Sequence, residues 1–317
     1  MRTSAAALAL ALAVASLTAG SVTLARASVR AATACAPHPS ACGFPDGSNT
    51  GTGSAVLTNV PGSATSGPGW SYADGVITVT GAGASLHNIT TAAQIVVDAP
   101  NVTLDHVKVV GTFTDEPAIA LEPAANGVHI ANCFVSGTNT ATGRMLVGIK
   151  DVQGTPVTGI VIDKCNIRYA STGIQIYTGT IENSYIHTLG MVSGDHVNGI
   201  TNNANDGDAE LIQHNTVFNQ FAQTDAISLF EDFGPIGNVT INDNLLAGGG
   251  YAVYGGGSGN DAPQPGAPYN VLITNNVFAT LYYANSGFYG PDAYYEPGNG
   301  NVWSGNVWDG TGATVSP

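Results

Sequence analysis

The sequence predicts an all-β protein built as a single-stranded parallel β-helix, a solenoid of about seven to nine rungs. Residues 239–246 alternate apolar and polar side chains, which indicates a half-buried strand. The central apolar position of this stretch recurs at gaps of 26, 32, 19, 31, 29, 32 and 30 residues, a period typical of solenoids. No helical period lies between the copies. The eight anchors are Leu104, Ile130, Ile162, Ile181, Ile212, Ile241, Ile273 and Trp303.

Two other positions keep a constant offset from each anchor. The fifth residue after it is apolar, and the third is small or, from Asn215 onwards, always Asn. Stacked rungs lie ~4.8 Å apart, so an inward residue meets its own equivalent on the next rung. Because an amide can pair backbone groups that a turn leaves unsatisfied, we predict that Asn215, Asn244 and Asn276 stack inside the solenoid. An antiparallel sandwich also has many short strands but does not explain this column.

The repeat has a second half. About a dozen residues after most anchors, a small residue precedes an apolar one, which predicts a further short strand in each rung. The pairs are Ala118-Ile119, Gly148-Ile149, Gly173-Ile174, Gly199-Ile200, Ala226-Ile227 and Ala252-Val253.

The beginning of the chain predicts export. Residues 1–27 combine a basic start at Arg2, a short Ala/Leu-rich core and a small-x-small cleavage pattern, as in secretory signal peptides. The apolar run is too short for a membrane anchor, and no other stretch is long enough to span a bilayer. We therefore expect a secreted, extracellular protein without a membrane partner.

The mature chain is predicted to be one domain. Residues 28–75, rich in Gly, Ser, Thr and Pro, are expected to lie over the first rung, with the β-helix at 76–310 and a tail at 311–317. A solenoid needs its open end covered, so most of the aromatic residues after Ala279 are expected to form a cap, with a minority free to stack on sugars. They are Tyr282, Tyr283, Phe288, Tyr289, Tyr294, Tyr295, Trp303 and Trp308.

The charge balance argues against polyanionic partners. The sequence has 8 basic and 22 acidic residues, and removal of Arg2 and Arg26 with the signal leaves a net charge of −16. No Lys or Arg follows Arg168. Nucleic acid is therefore excluded as a partner, as is an anionic membrane surface.

Four cysteines in an exported chain permit disulfides. Cys35 and Cys42 are close in sequence and are predicted to form a local bridge. Cys133 and Cys165 share a column on neighbouring rungs, where a bridge and two stacked buried thiols are both consistent with the pattern.

The ladder pattern resembles the right-handed parallel β-helix of the pectate-lyase-like superfamily, and the mature chain is similar to exported actinobacterial β-helix proteins. The resemblance implies right-handed coiling; the wider superfamily mostly binds, cleaves or epimerises acidic polysaccharides. The carboxylate set with Arg and Lys of calcium-dependent pectate lyases is not evident, and only Thr224-Asp225 is similar to polygalacturonase-like motifs. The matching stretches are residues 43–51, 145–151, 191–201, 214–234 and 245–257.

Alignment of the second-half strands concentrates acid–base residues on successive rungs. Asn198 falls next to Asp225, within ~5 Å at the backbone. A hydrolase needs one carboxyl kept protonated as an acid and a second as base or nucleophile, so Asp195 must reach in from its loop to complete a pair with Asp225. The candidate catalytic residues are Asp195, His196, Asn198, Asp225, Glu231 and Asp232.

Three outward columns are candidate substrate-binding surfaces. One polar strip along a sheet is a candidate sugar track; a second column pairs a cation with a histidine, and the third lies at a turn. A lyase or epimerase needs a base and a cation to neutralise a uronate, which Arg168 with His187, or Lys164, would supply. The candidate binding residues are Lys150, Lys164, Arg168, Gln175, His187, Thr201, His214, Ser228 and Tyr254.

Each of these residues also fits a structural role. Asp and Asn at turns commonly cap backbone groups, and His214 fits a surface pair with Asp243. Asp206, Asp208 and Glu210 resemble a calcium-binding turn but lack the spacing of a defined calcium loop, so no cofactor is predicted.

Two classes of function remain open. The first is an enzyme acting on an extracellular polysaccharide, as a hydrolase or a lyase; the second is a non-catalytic glycan- or wall-binding protein. We expect a monomer with an extracellular glycan as partner. Convergent Asp, His and Glu side chains in a groove favour the enzyme, whereas scattered ones favour binding.

Overall fold

The computed structural model describes residues 33–152, 157–205, 207–257 and 266–317. The predicted signal peptide lies outside these ranges. The described chain is nearly all-β, with one 3₁₀ turn at Pro39–Cys42, and its long parallel sheets are consistent with the predicted β-solenoid. In the part of the chain described, no helix is long and apolar enough to cross a membrane.

The described strands form two sheets. The first contains 17 strands and the second 11. In a typical coil, two consecutive strands belong to the first sheet and the next belongs to the second, as in β21, β22 and β23 below. The strands are β1 (Thr58–Val60), β2 (Ser66–Gly67), β3 (Trp70–Ala73), β4 (Val76–Val79), β5 (Ser85–Thr91), β6 (Gln94–Val97), β7 (Thr103–Val110), β8 (Ile119–Leu121), β9 (His129–Ala131), β10 (Phe134–Ser136), β11 (Met145–Asp151), β12 (Val161–Asp163), β13 (Asn166–Arg168), β14 (Ala170–Gln175), β15 (Gly179–Glu182), β16 (Tyr185–His187), β17 (Asn198–Asn202), β18 (Glu210–Gln213), β19 (Thr216–Asn219), β20 (Asp225–Leu229), β21 (Val239–Asn242), β22 (Leu245–Gly248), β23 (Tyr251–Gly255), β24 (Leu272–Thr274), β25 (Val277–Phe278), β26 (Gly290–Ala293), β27 (Val302–Ser304) and β28 (Val307–Trp308).

The strand register confirms the predicted ladder. Ile212 pairs with Ile241, Ile241 with Ile273, and Ile273 with Trp303, each in parallel. The apolar ladder five residues after these anchors continues from β7 to β28 in the same way. These inward side chains are almost all fully buried. The core is therefore a stack of equivalent positions along the solenoid, without one central cluster. Antiparallel pairing occurs at the start, between β2, β3 and β4.

The predicted Asn ladder is confirmed. Asn215, Asn244, Asn276 and Asn306 are each 0% exposed. Asn244 Oδ1 accepts from the backbone N–H of Asn215 at 2.9 Å, and Asn244 Nδ2 donates to Asn276 Oδ1 at 2.9 Å and to the Ile212 carbonyl at 2.9 Å. The Asn244 amide thus satisfies backbone groups of the coil before it and pairs with the amide of the coil after it.

The segment before the coils lies differently from the prediction. Its second half, with β1 paired to β5, does lie at the first coil. Residues 33–51, here called the strap, instead run along the outside of the first sheet. Cys35 and Ala36 donate backbone N–H groups to the Asp309 carboxylate at 2.8 and 2.9 Å near the chain end, while Gly51 N–H donates to the Lys164 carbonyl at 2.9 Å.

Apolar contacts fix the strap along this path. Cys35, Ala36 and Phe44 pack in a cluster with outward residues of the first sheet, including Leu245 and Val277. These outward apolar positions would otherwise be exposed, so the strap supplies their cover.

The cysteines take two different states. Cys35 and Cys42 form the predicted disulfide, a bond typical of oxidising compartments. Cys133 and Cys165 are buried free thiols. Of the two alternatives at that column, the structure therefore has stacked thiols.

The C-terminal end corrects the expectation for the aromatic residues. Tyr295, Trp303 and Trp308 pack against the core, and Trp303 Nε1 donates to the Val315 carbonyl at 2.7 Å. Tyr289 and Tyr294 are instead 64% and 50% exposed, so they do not cover the end. Tyr282 and Phe288 are exposed as well. Only three of the eight rings, those of Tyr295, Trp303 and Trp308, therefore cover the core at the last coil.

Candidate functional site

Two outward polar columns follow the second sheet. The small–apolar pair in each strand places two successive residues toward the core: Ile200 is fully buried, and a Cβ on Gly199 would lie 2.3 Å from Val217 Cγ1. Residues on either side of the pair therefore share the outer face. The first column is Thr172, Asn198, Asp225 and Tyr251, and the second is Gln175, Thr201, Ser228 and Tyr254.

A cavity of about 350 Å³ opens over these columns. Its walls combine amide, hydroxyl, imidazole and carboxyl groups with one aromatic ring. It lies where both polar columns, the loop before β17 and the segment after β20 meet. The lining residues are Thr172, Gln175, His196, Asn198, Thr201, Asn203, Thr224, Phe230 and Asp232.

Asp225 lies in the first column, beside Asn198 as predicted. It is 0% exposed, and neither carboxyl oxygen has a hydrogen-bond partner of ordinary geometry in the described structure. Burial raises the pKa of Asp225 well above its usual range, against a smaller lowering by the nearby Ser228 hydroxyl. That hydroxyl donates to Thr201 Oγ1 at 2.8 Å. Burial therefore favours the protonated, neutral form of this carboxyl.

Asn198 is oriented by the coil before it. Its Nδ2 donates to Thr172 Oγ1 at 3.2 Å, while its Oδ1 is buried and without a partner in the part of the chain described. Asn198 thus brings an unsatisfied acceptor to the cavity lining, and the unsatisfied Asp225 carboxyl lies buried on the next coil. Such groups are costly unless a ligand or water completes them.

The rim carries His196 and Asp232, which are both exposed. Partial burial raises the pKa of Asp232, and the charge of His196 opposes that shift. The rim thus adds an imidazole and a carboxylate that interact electrostatically.

Asp195 corrects the predicted carboxylate pair. It does not reach toward Asp225: Arg144 Nε and Nη2 each donate to its carboxylate at 2.8 Å, with further bonds from Ser171 Oγ at 2.5 Å and Val192 N–H at 2.9 Å. The pKa of Asp195 is lowered because these bonds outweigh its burial. All of its strong bonds anchor the loop before β17.

Glu231 also lies outside the cavity lining. Its side chain is 3% exposed, and burial raises its pKa, with the charge of Glu296 adding to the shift. Of the six candidate catalytic residues, His196, Asn198 and Asp232 therefore line the cavity, and Asp225 lies buried beside Asn198 without lining it.

The predicted sugar track is divided between two sites. Gln175 and Thr201 line the cavity, Ser228 contacts Thr201, and Tyr254 stands on the next coil. Lys150 lies in register with Gln175 but lines a separate cavity of about 390 Å³. That second cavity is acidic, with Asp115, Glu116 and Glu122 in its wall.

Arg168 and His187 share a column on the first sheet, as predicted, away from the cavity. The Arg168 guanidinium lies over the ring of Phe134 at 5.1 Å. His187 stacks on Tyr185 at 3.8 Å, and burial, assisted by the Arg168 charge, lowers its pKa to about 4. Both side chains are thus held in packing contacts.

Lys164 and His214 belong to a turn, together with Asn183 and Asp243, as predicted. All four have positive φ angles between 51 and 53°. The His214 ring bonds Asn183 Oδ1 at 2.8 Å and the Gly43 carbonyl at 3.0 Å. Since the strap covers His214, this residue is not an open sugar contact.

The calcium-like turn is described only in part. Asp206 lies outside the described residues, Asp208 is exposed, and Glu210 is buried with Oε2 accepting from Asn202 Nδ2 at 2.7 Å. Among the described residues, no group of three or more His, Cys, Asp and Glu could hold a metal.

Several residues of the site were missed. Thr172 could have been found, because it precedes Gly173-Ile174 as Asn198 precedes Gly199-Ile200. Asn203 and Phe230 follow their strands at loop positions without periodicity. Arg144 lies 51 residues from Asp195, with no sequence pattern connecting them.

Comparison of the chain with protein-family models, with curated proteins and with solved structures finds no match. The function therefore has to be argued from the geometry of the cavity.

Proposed function

We propose that this protein is a secreted glycoside hydrolase that acts on an extracellular polysaccharide at the cavity over β14, β17 and β20. The observation that carries the proposal is the buried carboxyl of Asp225, paired on the next coil with Asn198 of the cavity lining, with His196 and Asp232 at the rim. A protonated acid facing an ionised base is the chemistry that glycosidic hydrolysis requires.

Each group has a role in this proposal. Asp225 donates its proton to the glycosidic oxygen, and Asp232 activates water from the rim. His196 interacts electrostatically with the Asp232 carboxyl. Thr201, Gln175 and Asn198 hold sugar hydroxyls. Because Asp225 is 0% exposed, an entering sugar must displace the side chains that cover it. The cost of its unsatisfied oxygens is then recovered in the complex.

We further propose that the coils form a right-handed parallel β-helix of about seven to nine rungs, of the pectate-lyase-like kind and of actinobacterial type. The offset ladders and the parallel register support this assignment. Export is supported by the signal-like residues 1–27 and by the Cys35–Cys42 disulfide.

A lyase is less well supported. It needs a base and a cation at one open site, whereas Arg168 lies over aromatic rings and both His187 nitrogens have partners, Asn166 and Thr188. The second candidate is a non-catalytic glycan-binding protein, which the complete burial of Asp225 favours.

The proposal is tested by incubating the purified protein with neutral and uronic polysaccharides. New reducing ends are measured together with the ultraviolet absorbance of unsaturated sugars. A hydrolase releases reducing ends without the absorbance, and a lyase produces both. If the protein binds a polymer and releases neither product, the binding candidate replaces the hydrolase.

A further inference from the structure

Beside the cavity, five aromatic side chains form a continuous surface that we call the terrace: Phe230, Tyr251, Tyr254, Tyr289 and Tyr294. The ring centroids of Phe230 and Tyr254 lie 5.1 Å apart, and those of Tyr251 and Tyr254 lie 5.5 Å apart. Tyr289 lies 5.6 Å from Tyr251, and Tyr294 5.7 Å from Tyr254.

The terrace continues the cavity along the solenoid. Tyr251 stands one coil after Asp225 in the first polar column, and Tyr254 one coil after Ser228 in the second. Phe230 also lines the cavity itself. A chain lying along the columns would therefore pass from polar groups directly onto aromatic rings.

The folded core does not account for these rings. None of the five belongs to the partly buried residues that pack on the core, unlike Tyr295, Trp303 and Trp308. Tyr289 is 64% exposed and Tyr294 is 50% exposed. Contiguous exposed aromatic surface of this kind marks a site of interaction.

The charges around the terrace select its occupant. No Lys or Arg occurs anywhere after Arg168, while the exposed carboxyl of Asp232 lines the cavity together with Phe230 of the terrace. An anionic polymer, whether a polyuronate or a nucleic acid, would find no cation there. Burial, with smaller effects of Asp225 and the neighbouring tyrosines, raises the pKa of Tyr254 to about 12, so its hydroxyl stays a neutral donor.

We propose that the terrace binds consecutive sugars of a neutral glycan whose cleaved bond lies in the cavity, an inference that rests on the proposed function. The apolar C–H faces of uncharged pyranose rings stack on the aromatic rings. Their hydroxyls meet the tyrosine hydroxyls and the amide and hydroxyl groups of the polar columns. The substrate class is thereby narrowed from polysaccharides in general to neutral ones.

Affinity electrophoresis in gels containing soluble xylan, glucomannan, mixed-linkage glucan or polygalacturonate tests this proposal. All proteins carry Asp225→Asn so that turnover does not consume the probe. The test variant adds Tyr289→Ala with Tyr294→Ala, two exposed rings whose removal leaves the core intact. Its control adds Tyr282→Ala, a partly exposed ring that lies against Phe218 on the strap side.

The expected result is retardation by at least one neutral polymer and not by polygalacturonate. The Tyr289/Tyr294 variant should bind the neutral polymer at least about tenfold more weakly than the Asp225→Asn protein. The Tyr282 control should bind as tightly as the Asp225→Asn protein. The proposal is overturned if polygalacturonate alone retards the protein, or if no neutral polymer retards it. It is also overturned if the Tyr289/Tyr294 variant binds the neutral polymer as tightly as the Asp225→Asn protein. So does a dimer in sedimentation that the Tyr289/Tyr294 variant converts to monomer, since the terrace would then bind a second copy.

Failure of the hydrolase proposal gives a different result. If neutral glycans bind through the terrace but the wild-type protein releases no reducing ends, the terrace stands as a binding site and the catalytic assignment falls. If cleavage occurs and the terrace variant binds normally, the hydrolase stands and the terrace proposal falls.

Discussion

Replacing Asn244 by leucine is expected to lower the free energy of unfolding by about 1–3 kcal/mol. The asparagine side chain accepts from the Asn215 backbone N–H and donates to the Ile212 carbonyl, both in the dry interior. Leucine leaves these two groups unpaired, at ~1–3 kcal/mol each. Burial of its isobutyl group returns about 1.5–3 kcal/mol, which leaves a net loss.

The assay is equilibrium unfolding in urea followed by tryptophan fluorescence and circular dichroism. The matched control is Asn285→Leu, at an exposed position in the loop after the last long coil. The control should unfold close to wild type. If Asn244→Leu is as stable as the control, the inward amides contribute no net hydrogen-bond energy and the reasoning about the ladder is refuted.

Three further predictions concern groups outside the cavity. Burial raises the pKa of Glu210 to about 8, against 4.5 ordinarily, so the folded state retains a proton that the unfolded chain releases. Stability should fall as pH rises through this interval, and Glu210→Gln should lessen the fall seen in urea midpoints. Asp195→Asn should destabilise by ~3–5 kcal/mol, because it leaves Arg144 buried and unpaired; urea unfolding measures this. Replacing Cys35 and Cys42 by serine should cost ~2–3 kcal/mol, measured by thermal unfolding.

Each of these predictions has a control. Glu116→Gln, at an exposed glutamate, should leave the pH dependence of stability unchanged; an equal effect would contradict the burial of Glu210. A double variant with Arg144→Gln should lose less than the sum of the single losses, and simple additivity would argue against the pair. Reductant should lower the melting temperature of the wild type but not of the Cys35/Cys42 variant.

The coils were predictable because stacking repeats the same environment. Ile212, Ile241 and Ile273 meet their own equivalents, so selection for one buried apolar position leaves a period in the sequence. The same argument places Asn198 beside Asp225. Positions that repeat carry their structure in the pattern.

The remainder was not predictable because it depends on groups that occur once. The strap contacts Asp309 from Cys35, at a separation of 274 residues, and no repeat signals this path. Arg144 meets Asp195 across two irregular loops. Exposure also escapes the pattern: Tyr294 and Tyr295 are neighbours, yet only Tyr295 packs on the core.

The proposed catalytic role of Asp225 is tested most directly by its isosteric amide. Asp225→Asn keeps the shape of the side chain and suits a buried, unionised site, so its melting temperature should equal or exceed that of the wild type. Asp98→Asn, which changes an exposed carboxylate directly after β6, several coils before the cavity, is the matched control.

The decisive measurement is the initial rate of reducing-end release from the neutral polymer that the wild type cleaves. We predict that Asp225→Asn lowers this rate by about 10²-fold or more, the scale of general-acid catalysis, while Asp98→Asn keeps it. Full activity in a folded Asp225→Asn protein would contradict the account, because the buried carboxyl would then be structural.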